Sequence, residues 1–251
     1  GARVIPPEFS GVIEWGFLEN RPFLRAAQGV VLCQLRLGQR REALALMEKM
    51  LRWNPNDNQG LRFIIGSEYL RAGDTAKAAR IFESEAAQYP PYYYESGLLH
   101  LMKGDRIAAA TSLRQGFAAN GYVAEMLCGN PDPMPLAIWH GSNLAEPETA
   151  RDYLDHHADL WRKMPEAIPF LHWLYTHPKV LAERSSVIEC KEGLLWERDS
   201  DQRRKLLDQE EAAFVAIDDQ LSKEIIVERA DRDGRMVAPW LYAQQRRRVR
   251  F

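Results

Sequence analysis

Cysteine is scarce in this chain. Cys33, Cys128 and Cys190 are the three present among 251 residues, and they lie far apart. An odd, dispersed set argues against a disulfide framework and for thiols in a reducing compartment, which points to the cytoplasm. Long apolar runs are missing: none reaches the roughly 18 residues of a membrane span. No secretory leader is visible. Neither charge sign dominates, because 33 Lys and Arg face 35 Asp and Glu for a formal net charge of −2. Nothing global therefore draws the chain to nucleic acid or to an anionic membrane. Motifs that carry chemistry are absent as well: no glycine-rich phosphate loop, no nucleophile motif and no spaced set of metal ligands. The expectation is a non-enzymatic protein with no cofactor and no metal.

What the chain does contain is a repeat. Hydrophobic content of 46% and charged content of 27% are ordinary for a globular protein large enough to bury a sizeable core. Gly38, Ala43 and Pro55 recur 35 positions later as Gly73, Ala78 and Pro90, and a weaker copy follows at Gly104 and Ala109. Each residue type has a reason. Glycine reaches the left-handed angles of a tight turn between helices. Alanine at a crossing lets two helices approach closely. Proline falls where a helix stops. Asp74 and Asp105 follow two of the glycines and are placed to cap the next helix.

This skeleton resembles the tetratricopeptide repeat (TPR), a helix pair of about 34 residues. Residues 24–119 look like three copies. The second, AGDTAKAARIFESEAAQYP, is the best, with Gly73, Ala78, Phe82 and Pro90 in place. The first has Met47 where an aromatic is usual; the third has Leu113 there, and Asn120 instead of the closing proline. ENRPFLRA (19–26) and NPNDNQGLR (54–62) are similar to segments of little-characterised bacterial TPR proteins. The resemblance implies an all-α fold, an α-solenoid of about three TPR helix pairs; the residues beyond it read as further helices and a C-terminal helical hairpin. It implies that the first helix of each pair lines a concave groove, with Arg25, Gln28, Leu32, Arg36, Phe63, Ser67, Arg71, Tyr94 and Leu98 among the residues pointing into it. The partner-binding set is Arg25, Gln28, Arg36, Phe63, Ser67, Arg71, Tyr94 and Leu98, and the partner a peptide or protein segment. The chaperone-tail clamp of one TPR subtype needs Lys and Asn where Gln28 and Leu32 stand, so that ligand is not expected.

Around the repeats, residues 1–23 read as an N-terminal strap that covers the first pair, since a solenoid's terminal repeat lacks a neighbour. The chain begins with Gly1-Ala2 rather than Met, which suggests sequence upstream. Asn58, Gln59 and Arg62 read either as ligand contacts or as a turn and cap with Arg62 paired to a neighbouring helix. In PPYYYESG, Tyr92, Tyr93 and Tyr94 point three ways on a helix, so one of them reaches a surface unless another element covers it. Residues 120–147 hold four prolines and read as a connecting segment, with His140 beside Trp139. Residues 148–230 form a C-terminal helical region. It contains Asp152, Asp155, His156, His157 and Asp159, whose alternative reading is a metal-dependent hydrolase-like site centred on His156. Leu207, Phe214 and Leu221 recur every seven residues and suit the second arm of a hairpin after a break near Arg198–Ser200, or a coiled-coil seam with a partner. Residues 231–251 form a basic tail, where Arg246, Arg247, Arg248 and Arg250 offer the other alternative, a nucleic-acid-associated regulator. The main expectation is a non-enzymatic adaptor or scaffold.

Overall fold

The computed structural model describes residues 9–242. The arginines at 246, 247, 248 and 250 lie outside them. The fold is all-α, with helices packed in consecutive pairs, and it divides into two compact units, residues 1–85 and 86–251. No helix among the described residues is long and apolar enough to cross a membrane.

In the first unit, α1 (Arg21–Arg36) pairs with α2 (Arg40–Trp53), and α3 (Arg62–Ala72) with α4 (Thr75–Glu85). The repeat residues act as their chemistry requires. Gly38 and Gly73 turn each pair at φ of 74° and 81°, and Ala43 and Ala78 are fully closed to solvent at the crossings. The Asp74 carboxylate accepts from the Lys77 amide at 3.1 Å and caps α4.

The NPNDNQG segment is a lock between the pairs. Asp57 holds a left-handed φ of 44°, which places its carboxylate under α3, where it accepts from the amides of Leu61 (2.9 Å) and Arg62 (2.7 Å). The Arg62 guanidinium returns to the same carboxylate at 3.1 Å and reaches Glu85 of α4 at 3.7 Å. Gln59 donates to the Leu24 carbonyl at 2.9 Å and to the Gln28 side chain at 3.1 Å, and Gln28 donates back to the Gln59 carbonyl. Of the two readings of this segment, turn, cap and inter-helix pairing is the one observed. The strap crosses the start of α1 and the end of α2: Ile13 N–H donates to the Trp53 carbonyl, and Arg21 and Arg25 both stack on Trp15 at 5.3 and 5.4 Å.

The second unit begins with a third pair, α5 (Pro91–Met102) and α6 (Arg106–Ala119). Gly104 turns it at φ 80°, and Asp105 caps α6 through the Ala108 amide at 3.0 Å. This pair packs most closely of all: a Cβ on Gly97 would sit 2.6 Å from Leu113 Cγ and 3.2 Å from the Ala109 carbonyl. Asn120, where the repeat's proline would stand, caps a further helix, α7 (Gly121–Leu127), through the Tyr122 amide, so the proline-rich segment starts helical. Then follow α8 (Pro147–Arg162), α9 (Ala167–Tyr175), α10 (Pro178–Trp196), α11 (Ser200–Val215) and α12 (Asp219–Ile225). A short hairpin pairs β1 (Arg229–Ala230) with β2 (Met236–Val237), Arg229 opposite Val237.

α10 and α11 form the expected hairpin, with Asp199 capping α11 through the amides of Asp201 and Gln202. The seven-residue seam does not continue as one helix. Asp218 accepts from the Gln220 amide at 2.8 Å and starts α12, so Leu221 belongs to a separate element. A fully buried arginine fixes this end. Arg114 of α6 makes a two-pronged contact with Glu183 of α10 and donates to the Asp218 carbonyl (2.8 Å) and the Ser222 hydroxyl (2.7 Å) of α12. Around it Ala118, Val187 and Ile217 close the core.

Candidate functional site: an aromatic cleft in the second unit

The eight residues expected to line a groove fare differently. Arg36 is exposed, with no ion pair among the described residues. Arg25 is exposed but stacked on Trp15, and Gln28 is bonded to Gln59. Phe63 is half-buried. Arg71 lies 2.5 Å from the Glu68 carboxylate, which Arg40 also holds at 2.6 Å. Ser67 and Tyr94 have no solvent exposure and Leu98 has 1%, so these three present no surface to a partner. For Tyr94 the cause is plain: its hydroxyl donates to the Asn120 carbonyl at 2.6 Å, and its ring lies against Gly116 and Phe117. Burial pushes its phenol well above the usual range.

Tyr93, between two buried tyrosines, opens instead into a cleft of about 590 Å³. Five elements build it: the turn into α5 with its first residues, the end of α6, the loop at 139–145, Lys191 of α10 and one face of α11. The α11 face follows helical spacing, with Leu207, Glu210, Glu211 and Phe214 at i, i+3, i+4 and i+7. Phe214 meets Tyr93 edge to face at 5.7 Å.

The loop is held in place by backbone and ring contacts. The Trp139 N–H donates to the Lys191 carbonyl at 2.9 Å, and Arg203 stacks on the Trp139 ring at 5.2 Å. Gly141 reverses the chain at φ 74°, and a Cβ there would lie 3.5 Å from that ring. The Tyr122 hydroxyl accepts from the Leu136 amide and lies 2.8 Å from Nε2 of His140. Burial depresses the His140 pKa, with Glu146 opposing, so the ring is neutral at pH 7.

Lys191 forms the floor. Its ammonium donates to the Ala118 carbonyl at 3.1 Å and lies 3.6 Å from Glu210. Burial lowers its pKa, and Glu210 partly restores it. Glu211 is exposed at the rim and has no ion pair among the described residues. The arrangement offers apolar and aromatic contact area, one paired lysine and an open carboxylate. It suits binding of another molecule's side chains.

The acidic and histidine cluster of α8 does not converge. His156 is exposed, with Nδ1 2.8 Å from the Asp152 carbonyl, whereas His157 is buried against Tyr153. The described residues hold no group of three or more His, Cys, Asp or Glu placed for a metal ion. Compared with known proteins, the chain matches no family model, no curated protein and no solved structure.

Sequence reasoning singled out Tyr93, Trp139, His140 and Phe214 separately and missed their convergence. The available signal was the number of aromatics standing in segments without another assigned role. Only packing of the hairpin on α6 brings them together.

Proposed function

We propose that the chain is a non-enzymatic adaptor of the tetratricopeptide-repeat type that binds a peptide or protein segment, and that the cleft at Tyr93 and Phe214 is its docking surface. The observation that carries this reading is a preformed cleft of about 590 Å³ with tyrosine, tryptophan and phenylalanine at its walls. Aromatic anchors in concave, partly dry sites dominate binding energy at protein interfaces. The glycine turns, aspartate caps and buried alanines of the three helix pairs support the repeat assignment. Three unbridged cysteines support a cytoplasmic setting.

Affinity capture from source-cell lysate, compared between the unmodified chain and Phe214→Ala, tests the reading. The expected result is one protein retained by the former and lost by the latter, with circular dichroism unchanged. Retention by both at equal level contradicts the cleft as the docking surface.

A further inference from the structure

The cleft is not chemically neutral, and its charge pattern narrows what fits. Five titratable side chains face it: Tyr93, whose phenol burial keeps neutral, and Lys191, His140, Glu210 and Glu211. The lysine is 8% exposed and committed to the Ala118 carbonyl and to Glu210. The histidine is committed to the Tyr122 hydroxyl. Glu211 remains as the open charge, and the second oxygen of Glu210 adds to it. The cleft therefore shows an incoming ligand apolar walls and a negative edge.

Their spacing is set by the helix. Glu210 and Glu211 lie between Leu207 and Phe214, and three to four residues of helix at 1.5 Å each set the acidic positions about 4.5–6 Å along the axis from the apolar ones. An extended peptide advances about 3.3 Å per residue, so two residues of ligand span that interval.

We infer that the cleft takes an extended peptide segment in which an apolar or aromatic side chain stands two positions from an arginine or lysine. The apolar group fills the space between Tyr93, Leu207 and Phe214. The cation meets Glu211 and the outer oxygen of Glu210. This inference rests on the docking reading above and adds the chemistry of the occupant. An acidic segment would set a third carboxylate beside two, with a lysine already satisfied.

The test uses the full chain and three fluorescein-labelled nonapeptides, read by fluorescence anisotropy at low and high salt. The first is a glycine-rich peptide with a central Phe and an Arg two positions to either side. The second replaces Arg by Glu, and the third replaces Phe by Ala. The first peptide is expected to bind at least roughly tenfold more tightly than either control, since a desolvated aromatic anchor is of that order. Its affinity should fall roughly fivefold in Glu210→Gln/Glu211→Gln, the scale of partly exposed ion pairs, and should weaken with salt. Phe214→Ala should abolish it. Binding that emerges only after deletion of residues 243–251, in the same rank order, supports the inference and identifies this chain's own arginine-rich segment as the occupant. Equal affinity for the Arg and Glu peptides, both lost in Phe214→Ala, overturns the charge assignment and leaves the docking surface standing. Binding unaffected by Phe214→Ala, or absent for all peptides with and without 243–251, overturns the inference.

Discussion

Replacing Arg114 with methionine should loosen the second unit at a defined place. Methionine keeps most of the apolar stem of the side chain but removes the guanidinium. Arg114 is 1% exposed, and four contacts end with it: two to Glu183, one to the Asp218 carbonyl and one to the Ser222 hydroxyl. Breaking one side of a buried pair costs about 3–5 kcal/mol, most of it from the charge left behind. The Glu183 side chain keeps 17% exposure, so water reaches it, and the loss should lie near the lower end, about 3 kcal/mol. Adding Glu183→Leu removes the stranded carboxylate and should recover most of that loss, leaving about 1 kcal/mol for the lost bond to the Asp218 carbonyl, since the Ser222 hydroxyl keeps Thr111 Oγ1 at 2.8 Å. A single melting curve is the wrong readout for a chain with two compact units. Hydrogen exchange resolved by segment is better. Residues 219–225 of α12 should lose protection in Arg114→Met and regain it in the double variant, while α1–α4 stay unchanged. A loss below about 1 kcal/mol, or strictly additive single and double variants, would refute the claim that Arg114 and Glu183 act as one clamp.

Gly97→Ala should destabilise the α5–α6 pair by about 1–3 kcal/mol, because its Cβ meets both Leu113 and a backbone carbonyl; hydrogen exchange resolved over α5 and α6 measures it. Gly29→Ala, with open space around the new atom, should instead stabilise α1 by about 0.5–1 kcal/mol. Asp57→Ala should cost about 1–2 kcal/mol in the first unit through the lost α3 cap and the strained left-handed angle, and Asp57→Asn distinctly less. Acid should weaken the second unit. Burial lowers the pKa values of His100, His140 and His177, so the unfolded chain binds more protons as pH falls. Stability is thus full above the unfolded value of about 6.5 and declines as pH drops through it towards the depressed folded values. Equal hydrogen-exchange protection of the second unit at pH 7.5 and pH 5.5, after correction for the intrinsic exchange rate, would contradict this.

The helix pairs were legible because their residues act locally. Gly38, Gly73 and Gly104 announce a left-handed turn whatever surrounds them, and Asp74 and Asp105 cap the helix three residues on. The lock at Asp57 and Gln59 was legible as a turn, but its link to Gln28 was not, since the two lie 31 positions apart. Ser67, Tyr94 and Leu98 were placed on a surface by their repeat positions, while packing buried them. α12 was hidden inside a seven-residue pattern that Asp218 interrupts with a cap. The two-residue strands β1 and β2 are too short to leave a periodic signal. The cleft is walled by segments far apart in sequence, Tyr93, the Trp139 loop, Lys191 and the Leu207–Phe214 face, and no local pattern encodes their meeting.

The central claim is that a partner segment sits on the Leu207–Phe214 face of α11. A photo-crosslinking phenylalanine analogue at Leu207, compared with one at Val215, tests it most directly. Val215 is 70% exposed and lines no part of the cleft. With the captured partner, adducts are predicted at position 207 and not at 215, and excess Phe–Arg peptide should suppress them. Adducts of equal yield at both positions, or at 215 alone, would contradict the claim.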